Sequence, residues 1–140
     1  MTRHLLTVKH HFSAGHRIPG LAGAGAKCTN LHGHTFGLEW TFEVRTLDAA
    51  QIEFAAAKSV LREWVDSKLD HGYLVAPHDD ELREFLARGG FKHYVIDPVP
   101  TTEAIADEVL RVSTHLVPEA RCIRVTVTEG PHNAAEARAW

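Results

Sequence analysis

The stretch HGHTFGLEWTFEVR, residues 32–45, decides the fold. Phe36, Leu38, Trp40, Phe42 and Val44 alternate with Thr35, Gly37, Glu39, Thr41, Glu43 and Arg45. A period of two places successive side chains on opposite faces of a strand. This pattern predicts a strand over 32–46 with one buried and one wetter face, as antiparallel sheets commonly have. His32 and His34 fall in phase with the apolar face.

Working outward, residues 5–16 carry the same signal. Leu6, Val8, Phe12, Ala14 and His16 share one parity, with His10 as the polar exception. Between the two strands, RIPGLAGAGAKCTNL (17–31) is rich in Gly, Ala and Pro and reads as a loop. Beyond them, Phe54, Ala57, Leu61, Trp64, Val65 and Leu69 recur at helical spacing over 52–69. HGYLVAP follows as a turn. A short helix is predicted near 79–88, with Asp79 as its N-cap and Gly89-Gly90 as its stop. An extended piece spans 92–97. A second long helix spans about 102–117, with Ile105, Val109, Val112 and Leu116 on one face, Pro100 before it and Pro118 ending it. Ile123, Val125 and Val127 alternate with Arg124, Thr126 and Thr128 in a strand over 121–129, and the tail adds a short last strand. The layout is α+β, a sheet with helices on one face. Its open edges need covering, so sheets joined edge to edge in an oligomer are expected.

The 140 residues make one domain, 1–140, with no internal repeat or linker. At 44% hydrophobic and 24% charged residues, the composition is that of a globular protein. A net charge of -3 argues against a general nucleic-acid binder. No apolar run reaches the length of a membrane span. Lys9, His10 and His11 interrupt any signal-peptide core, so a cytoplasmic location is expected. Cys122 reads as packing at the start of a strand, whereas Cys28 sits in a loop among polar neighbours.

Histidines at i and i+2 of a strand point the same way, so His32 and His34 can share a metal ion. His16, ending a neighbouring strand, can complete a face of three imidazoles. Zinc with three protein nitrogens keeps an open fourth position, the catalytic pattern. The plainer reading is a half-buried pair in a chain that has eleven histidines. Cys28 reads as a fourth ligand, as a base or nucleophile beside an open site, or as a small buried residue. Asp70-His71 follows the first long helix, where an Asp can orient a His for proton transfer, or the pair can simply be a solvated helix end. Glu129 ends a buried-face pattern, so its carboxylate needs partners. A ligand with two adjacent N–H donors would satisfy it, unless the strand has already reached solvent. Thr101-Thr102-Glu103 opens a helix, and capping alone accounts for these residues.

FSAGHRIPG, KCTNLHGHTFGLEW, IEF, KLDHGYL, PTTEAIA and VTVTEGP together resemble, in order and over nearly the whole chain, the motifs of the 6-pyruvoyl-tetrahydropterin synthase family, including its bacterial 6-carboxy-tetrahydropterin synthase branch. The resemblance implies a tunnelling fold with an antiparallel four-stranded sheet and helices on one face. It also implies homo-oligomers, hexamers built as a dimer of trimers, with active sites between subunits. By the same resemblance, His16, His32 and His34 would bind zinc (Zn2+). Cys28 would be the general base, with Asp70 and His71 its partners in proton transfer. Glu129 would anchor a pterin, with Thr101, Thr102 and Glu103 lining the same pocket. The implied substrate is 7,8-dihydroneopterin triphosphate, and Arg17 and Lys27 are candidate cations for its phosphates by their proximity to the motifs alone. Three residues separate Cys28 from HGH, which favours the 6-carboxy branch, acting in queuosine-type deazapurine synthesis with loss of triphosphate and acetaldehyde. The chain departs from the family pattern at Gly15, Glu53 and Gly130. A 6-pyruvoyl synthase, a side-chain-cleaving relative and a non-catalytic zinc- or pterin-binding module are the alternatives. A three-histidine zinc hydrolase lacks a Glu base beside the ligands.

Overall fold

A computed structural model describes residues 2–44, 47 and 54–139. Two long strands, β1 (His4–His16) and β2 (His32–Val44), pair antiparallel along their whole length. The loop between them contains a 3₁₀ segment, Gly23–Thr29. Then come α1 (Phe54–Lys68), β3 (Gly72–Val75), α2 (Asp80–Gly89), β4 (His93–Val95), α3 (Thr102–Leu116), β5 (Arg121–Glu129) and β6 (Asn133–Arg138). One sheet holds all the strands in the order β4-β3-β1-β2-β5-β6.

The four strands β1, β2, β5 and β6 are antiparallel, as expected. The sheet is wider than four strands, because β3 and β4 extend it in parallel beyond β1. The HGYLVAP segment, expected as a turn, therefore contains a strand. Segments this short carry too few residues to display a period, and their pairing partners lie elsewhere in the chain. The predicted start of the first helix at 52 and 53, including Glu53, and the strand end at 45 and 46 lie outside the described residues.

Alternation does what it should in the centre. Val8, Phe12, Phe36, Leu38, Trp40, Phe42, Val125 and Val127 are buried against Leu61, Val65, Ile105 and Val109 of α1 and α3. Burying each such side chain contributes roughly 1.5–3 kcal/mol. Ile123 departs from the pattern. A bulge between Thr41 and Phe42 shifts the register, so that Phe42 faces Cys122 and Ile123 has no partner on β2. Cys122 turns into the core, where burial pushes its thiol up to about 11, and Ile123 is left half-buried. An inserted residue inverts the phase behind it, which strict alternation cannot foresee.

The short helix α2 is capped as its sequence suggests. The Asp79 carboxylate accepts from the Leu82 N–H, and Gly90 stops the helix in the left-handed conformation at φ 68°. Leu82 and Leu86 pack on Val75 and Tyr73. Asp79 has a second role. Arg17, just after β1, donates to it twice, from Nε at 2.8 Å and from Nη2 at 2.6 Å. This fork ties the start of the 17–31 loop to α2.

The Arg17 hydrogen bonds hold the Asp79 carboxyl below its ordinary 3.8, with burial opposing. A folded-state value below the unfolded one means that the contribution is present at neutral pH and is lost as the pH falls through the folded value. Asp79→Asn is expected to cost about 1–3 kcal/mol at pH 7. The gap between the two proteins should close as the pH falls below 3.8. Urea denaturation across a pH series measures both.

Candidate metal centre and adjoining cavities

The β1–β2 register sets the centre. His16 lies directly opposite His32, and His34 lies opposite Ala14. The three imidazoles therefore rise from one face at one end of the sheet. Their ring centroids are 4.6 Å (His16–His32), 5.1 Å (His16–His34) and 4.9 Å (His32–His34) apart. One nitrogen from each falls within 4.8 Å of the others.

The outer hydrogen bonds fix which nitrogen is available. His16 Nδ1 donates to the Pro100 carbonyl at 2.8 Å, and His32 Nδ1 donates to the Asn30 carbonyl at 2.7 Å. A carbonyl can only accept, so the proton sits on Nδ1 and Nε2 keeps its lone pair. That is how ligating histidines are usually held. His16 Nε2 and His34 Nε2 are buried without a hydrogen-bond partner among the described residues. His34 Nε2 lies 3.5 Å from Glu129 Oε1, too long for a hydrogen bond. Buried, unpartnered ring nitrogens need an explanation, and a cation between them supplies one. Burial lowers the pKa of His16, with its Pro100 bond opposing and the neighbouring His32 and His34 adding to the fall. The neutral imidazole, the metal-binding form, is thereby favoured. The donor set fits zinc.

Cys28 lies on the 3₁₀ segment, half-buried. The Ile18 N–H donates to its carbonyl at 2.8 Å, folding the loop back on itself. Cys28 lines a cavity of about 170 Å³ together with His16, His32, Thr102, Glu103 and Glu129. Its Sγ is not among the converging ligand atoms, which are the three histidine nitrogens.

Glu129 ends β5 opposite Phe36. Its Oε2 accepts from the Thr102 hydroxyl at 2.9 Å. Thr101 caps α3 by accepting from the Ala104 N–H at 3.2 Å, so its side chain has a structural task. Glu103 is exposed. Glu129, Thr102 and Glu103 also line a second cavity of about 420 Å³, bounded by His132 and Asn133.

Asp70 and His71 are held by β1. The Ser13 N–H donates to Asp70 Oδ1 at 2.9 Å, and the Ser13 carbonyl accepts from the His71 N–H at 2.7 Å. His71 Nδ1 donates to Asp70 Oδ2 at 2.7 Å. The Ser13 bond lowers the Asp70 pKa, and His71 reinforces it. His71 adopts φ 59°, and its side chain is 82% exposed. It borders a third, larger cavity of about 560 Å³ with His32, His34 and Tyr73. Within one chain, then, Cys28 and His71 border different cavities, and His32 is on the wall of both.

Three contributors escape a reading of the sequence. Pro100 and Asn30 act through backbone carbonyls, which any residue would offer. Tyr73, in the segment read as a turn, lies over Gly15. A Cβ at position 15 would stand 2.6 Å from the Tyr73 ring, so this glycine is what admits the ring. Arg17, a candidate phosphate cation, is committed to Asp79.

The family model described as 6-pyruvoyl tetrahydropterin synthase matches residues 5–139. A 6-carboxy-5,6,7,8-tetrahydropterin synthase of Rickettsia bellii is 34% identical over 103 residues, 71% of this chain and 72% of that protein. One from Aquifex aeolicus is 32% identical over 113 residues, 68% of this chain and 69% of that protein. Among solved structures, an uncharacterized protein of Wolinella succinogenes superposes with a TM-score of 0.84 at 18% identity, covering 100% of both chains. The 6-pyruvoyl tetrahydropterin synthase of Caenorhabditis elegans gives 0.70 at 22% identity, covering 100% of this chain and 98% of that one. At these identities the two superpositions speak to the fold alone, which is the α+β tunnelling fold. With its motifs, its register and its histidine cluster on one sheet, the chain belongs to the 6-pyruvoyl tetrahydropterin synthase family.

Proposed function

We propose that this chain is a zinc-dependent 6-carboxy-5,6,7,8-tetrahydropterin synthase. It converts 7,8-dihydroneopterin triphosphate with loss of triphosphate and acetaldehyde, and it feeds queuosine-type deazapurine synthesis. The observation that carries the reading is the pair of buried, unpartnered Nε2 atoms of His16 and His34 beside a carboxylate fixed by Thr102. The names of the curated relatives agree with it.

His16, His32 and His34 hold the metal. The chemistry that zinc supplies there is Lewis acidity toward the oxygens of the substrate side chain, easing loss of the neighbouring C–H proton. The remaining work belongs to the chain. Glu129 accepts two adjacent N–H groups of the pterin, and the Thr102 hydroxyl keeps its carboxylate from rotating. Thr101 and Glu103 frame that pocket at the start of α3. Cys28 Sγ receives the proton. Asp70 holds the Nδ1–H of His71, which leaves His71 Nε2 to exchange protons with the substrate.

Cys28 and His71 border separate cavities within one chain, so an active site between subunits brings a dyad from one copy to the thiol of another. The assembly is read as a homo-oligomer, a hexamer of two trimers, with the edges β4 and β6 closing the sheets. Among the described residues, no helix is long and apolar enough to cross a membrane. Cys28 and Cys122 are unbonded thiols, which suits a reducing compartment, and we place the protein in the cytoplasm.

Mass spectrometry of the product from dihydroneopterin triphosphate tests the function. A 6-carboxy product with acetaldehyde is expected. A 6-pyruvoyl product would move the chain to the other branch, and tight binding without triphosphate release would make it a binding module. Cys28→Ala is expected to lower kcat by about 10²–10⁴ and to leave the zinc content unchanged by metal analysis. Loss of the metal would make Cys28 a ligand instead. Glu129→Gln is expected to weaken pterin binding by about 10–100-fold, the loss of a charge-assisted bond, with zinc again retained. Equal affinity in a fluorescence titration would remove Glu129 from the pocket.

A further inference from the structure

His71 adopts φ 59° although it carries a side chain. That left-handed conformation is uncommon for a residue with a Cβ, and it persists where the surroundings hold it. The hold acts on the peptide unit that joins Asp70 to His71. The orientation of this plane sets φ of His71 and, through it, the direction of the imidazole. The N–H of the plane donates to the Ser13 carbonyl at 2.7 Å. Its C=O, that of Asp70, accepts from the Lys92 ammonium at 2.5 Å. One peptide plane is thus gripped at both ends, by β1 on one side and by the residue just before β4 on the other.

Lys92 acts again on the far side of His71. Its backbone carbonyl accepts from the Tyr73 N–H at 3.0 Å. Gly72 leaves room for this approach, since a Cβ there would stand 3.1 Å from both Cγ and the carbonyl oxygen of Lys92. A lysine near a helix end commonly satisfies the last helical carbonyls. Lys92 does so at Asp66, 2.8 Å away, and capping needs no more than that bond. The bond to Asp70 lies beyond the end of α1 at Lys68, so capping does not account for it. The Asp70 carboxyl is held below its ordinary value by the Ser13 N–H against burial, and His71 and the Lys92 charge add to that effect.

We propose that Lys92 is a positioning residue for proton transfer, holding the Asp70–His71 peptide plane so that Asp70 keeps the His71 Nδ1–H and His71 Nε2 stays free toward the cavity. The role rests on the reading of His71 as a proton-transfer partner, and Lys92 itself takes no part in the chemistry. With the ammonium gone, the plane keeps only its grip at Ser13 and can rotate. The imidazole then loses the Asp70 carboxylate, which it now meets at 2.7 Å. Which ring nitrogen carries the proton is set by the bond that the ring makes. Loss of the Asp70 bond therefore releases the Nδ1–H tautomer.

Lys92→Met keeps an unbranched stem and removes the charge and the donors. Nitrogen-15 NMR of the zinc-loaded protein without substrate, at a pH where His71 is neutral, reads the tautomer directly. The Nδ1–H form is expected in the wild type and a mixture of both forms in the variant. With dihydroneopterin triphosphate, the variant is expected to lose about tenfold to 100-fold in kcat, the scale on which a displaced reacting group loses rate, with KM and zinc content unchanged. An unchanged tautomer in Lys92→Met would overturn the proposal, whatever the activity. His71→Ala, assayed alongside, separates the two readings. If it turns over like the wild type, the reading of His71 fails and the positioning role falls with it. If it is impaired while Lys92→Met keeps its kcat, the positioning role alone fails. Should Lys92→Met not fold, Lys92→Gln, whose stem is too short to reach both carbonyls, takes its place in both measurements.

Discussion

The direct pairing of His16 with His32 is the constraint on which the rest depends. Side chains alternate along a strand, so a slip of one residue would send every member of a face to the other side. The apolar run Phe36–Phe42 holds the register by burying one face under α1 and α3. The histidines inherit that register because they continue the same strands past the core. Folding energy spent on Trp40 and Phe36 thus positions the imidazoles, although neither residue takes part in chemistry. Gly33 permits the close crossing, since a Cβ there would come within 3.1 Å of the Ala14 carbonyl.

The start of α3 ties the candidate metal centre to Glu129, the proposed substrate anchor. The Pro100 carbonyl orients His16, Thr101 caps the helix, and the Thr102 hydroxyl fixes Glu129. Consecutive residues therefore set a histidine tautomer, a helix terminus and a carboxylate's hydrogen bond. Ser13 performs a comparable double task at β1, where its backbone grips both Asp70 and His71. Both devices attach reactive groups to rigid elements, which is what precise chemistry requires.

Much of this was legible in the chain. The alternation at 32–44 located the central strand, and the phase of His32 and His34 within it foretold a shared face. Asp79 as an N-cap and Gly90 as a stop were visible because capping chemistry is local. The strand β3 was not, and the extended piece at 92–97 gave no sign that its β4 pairs in parallel, since short segments take their pairing from neighbours distant in sequence. The Cys122 bulge was hidden because a single inserted residue leaves no compositional trace. The outer partners of His16 and His32 were hidden because backbone carbonyls have no residue signature. The hold of Lys92 on the Asp70–His71 turn emerged only from the β3–β4 pairing, which brings the two segments together.

The central claim is that three imidazoles, without the nearby thiol, make an open metal centre. X-ray absorption at the zinc edge of the loaded protein tests it most directly. The account predicts a first shell of nitrogen and oxygen at about 2.0–2.1 Å, with no sulfur. A sulfur shell at about 2.3 Å would place Cys28 on the metal and contradict it.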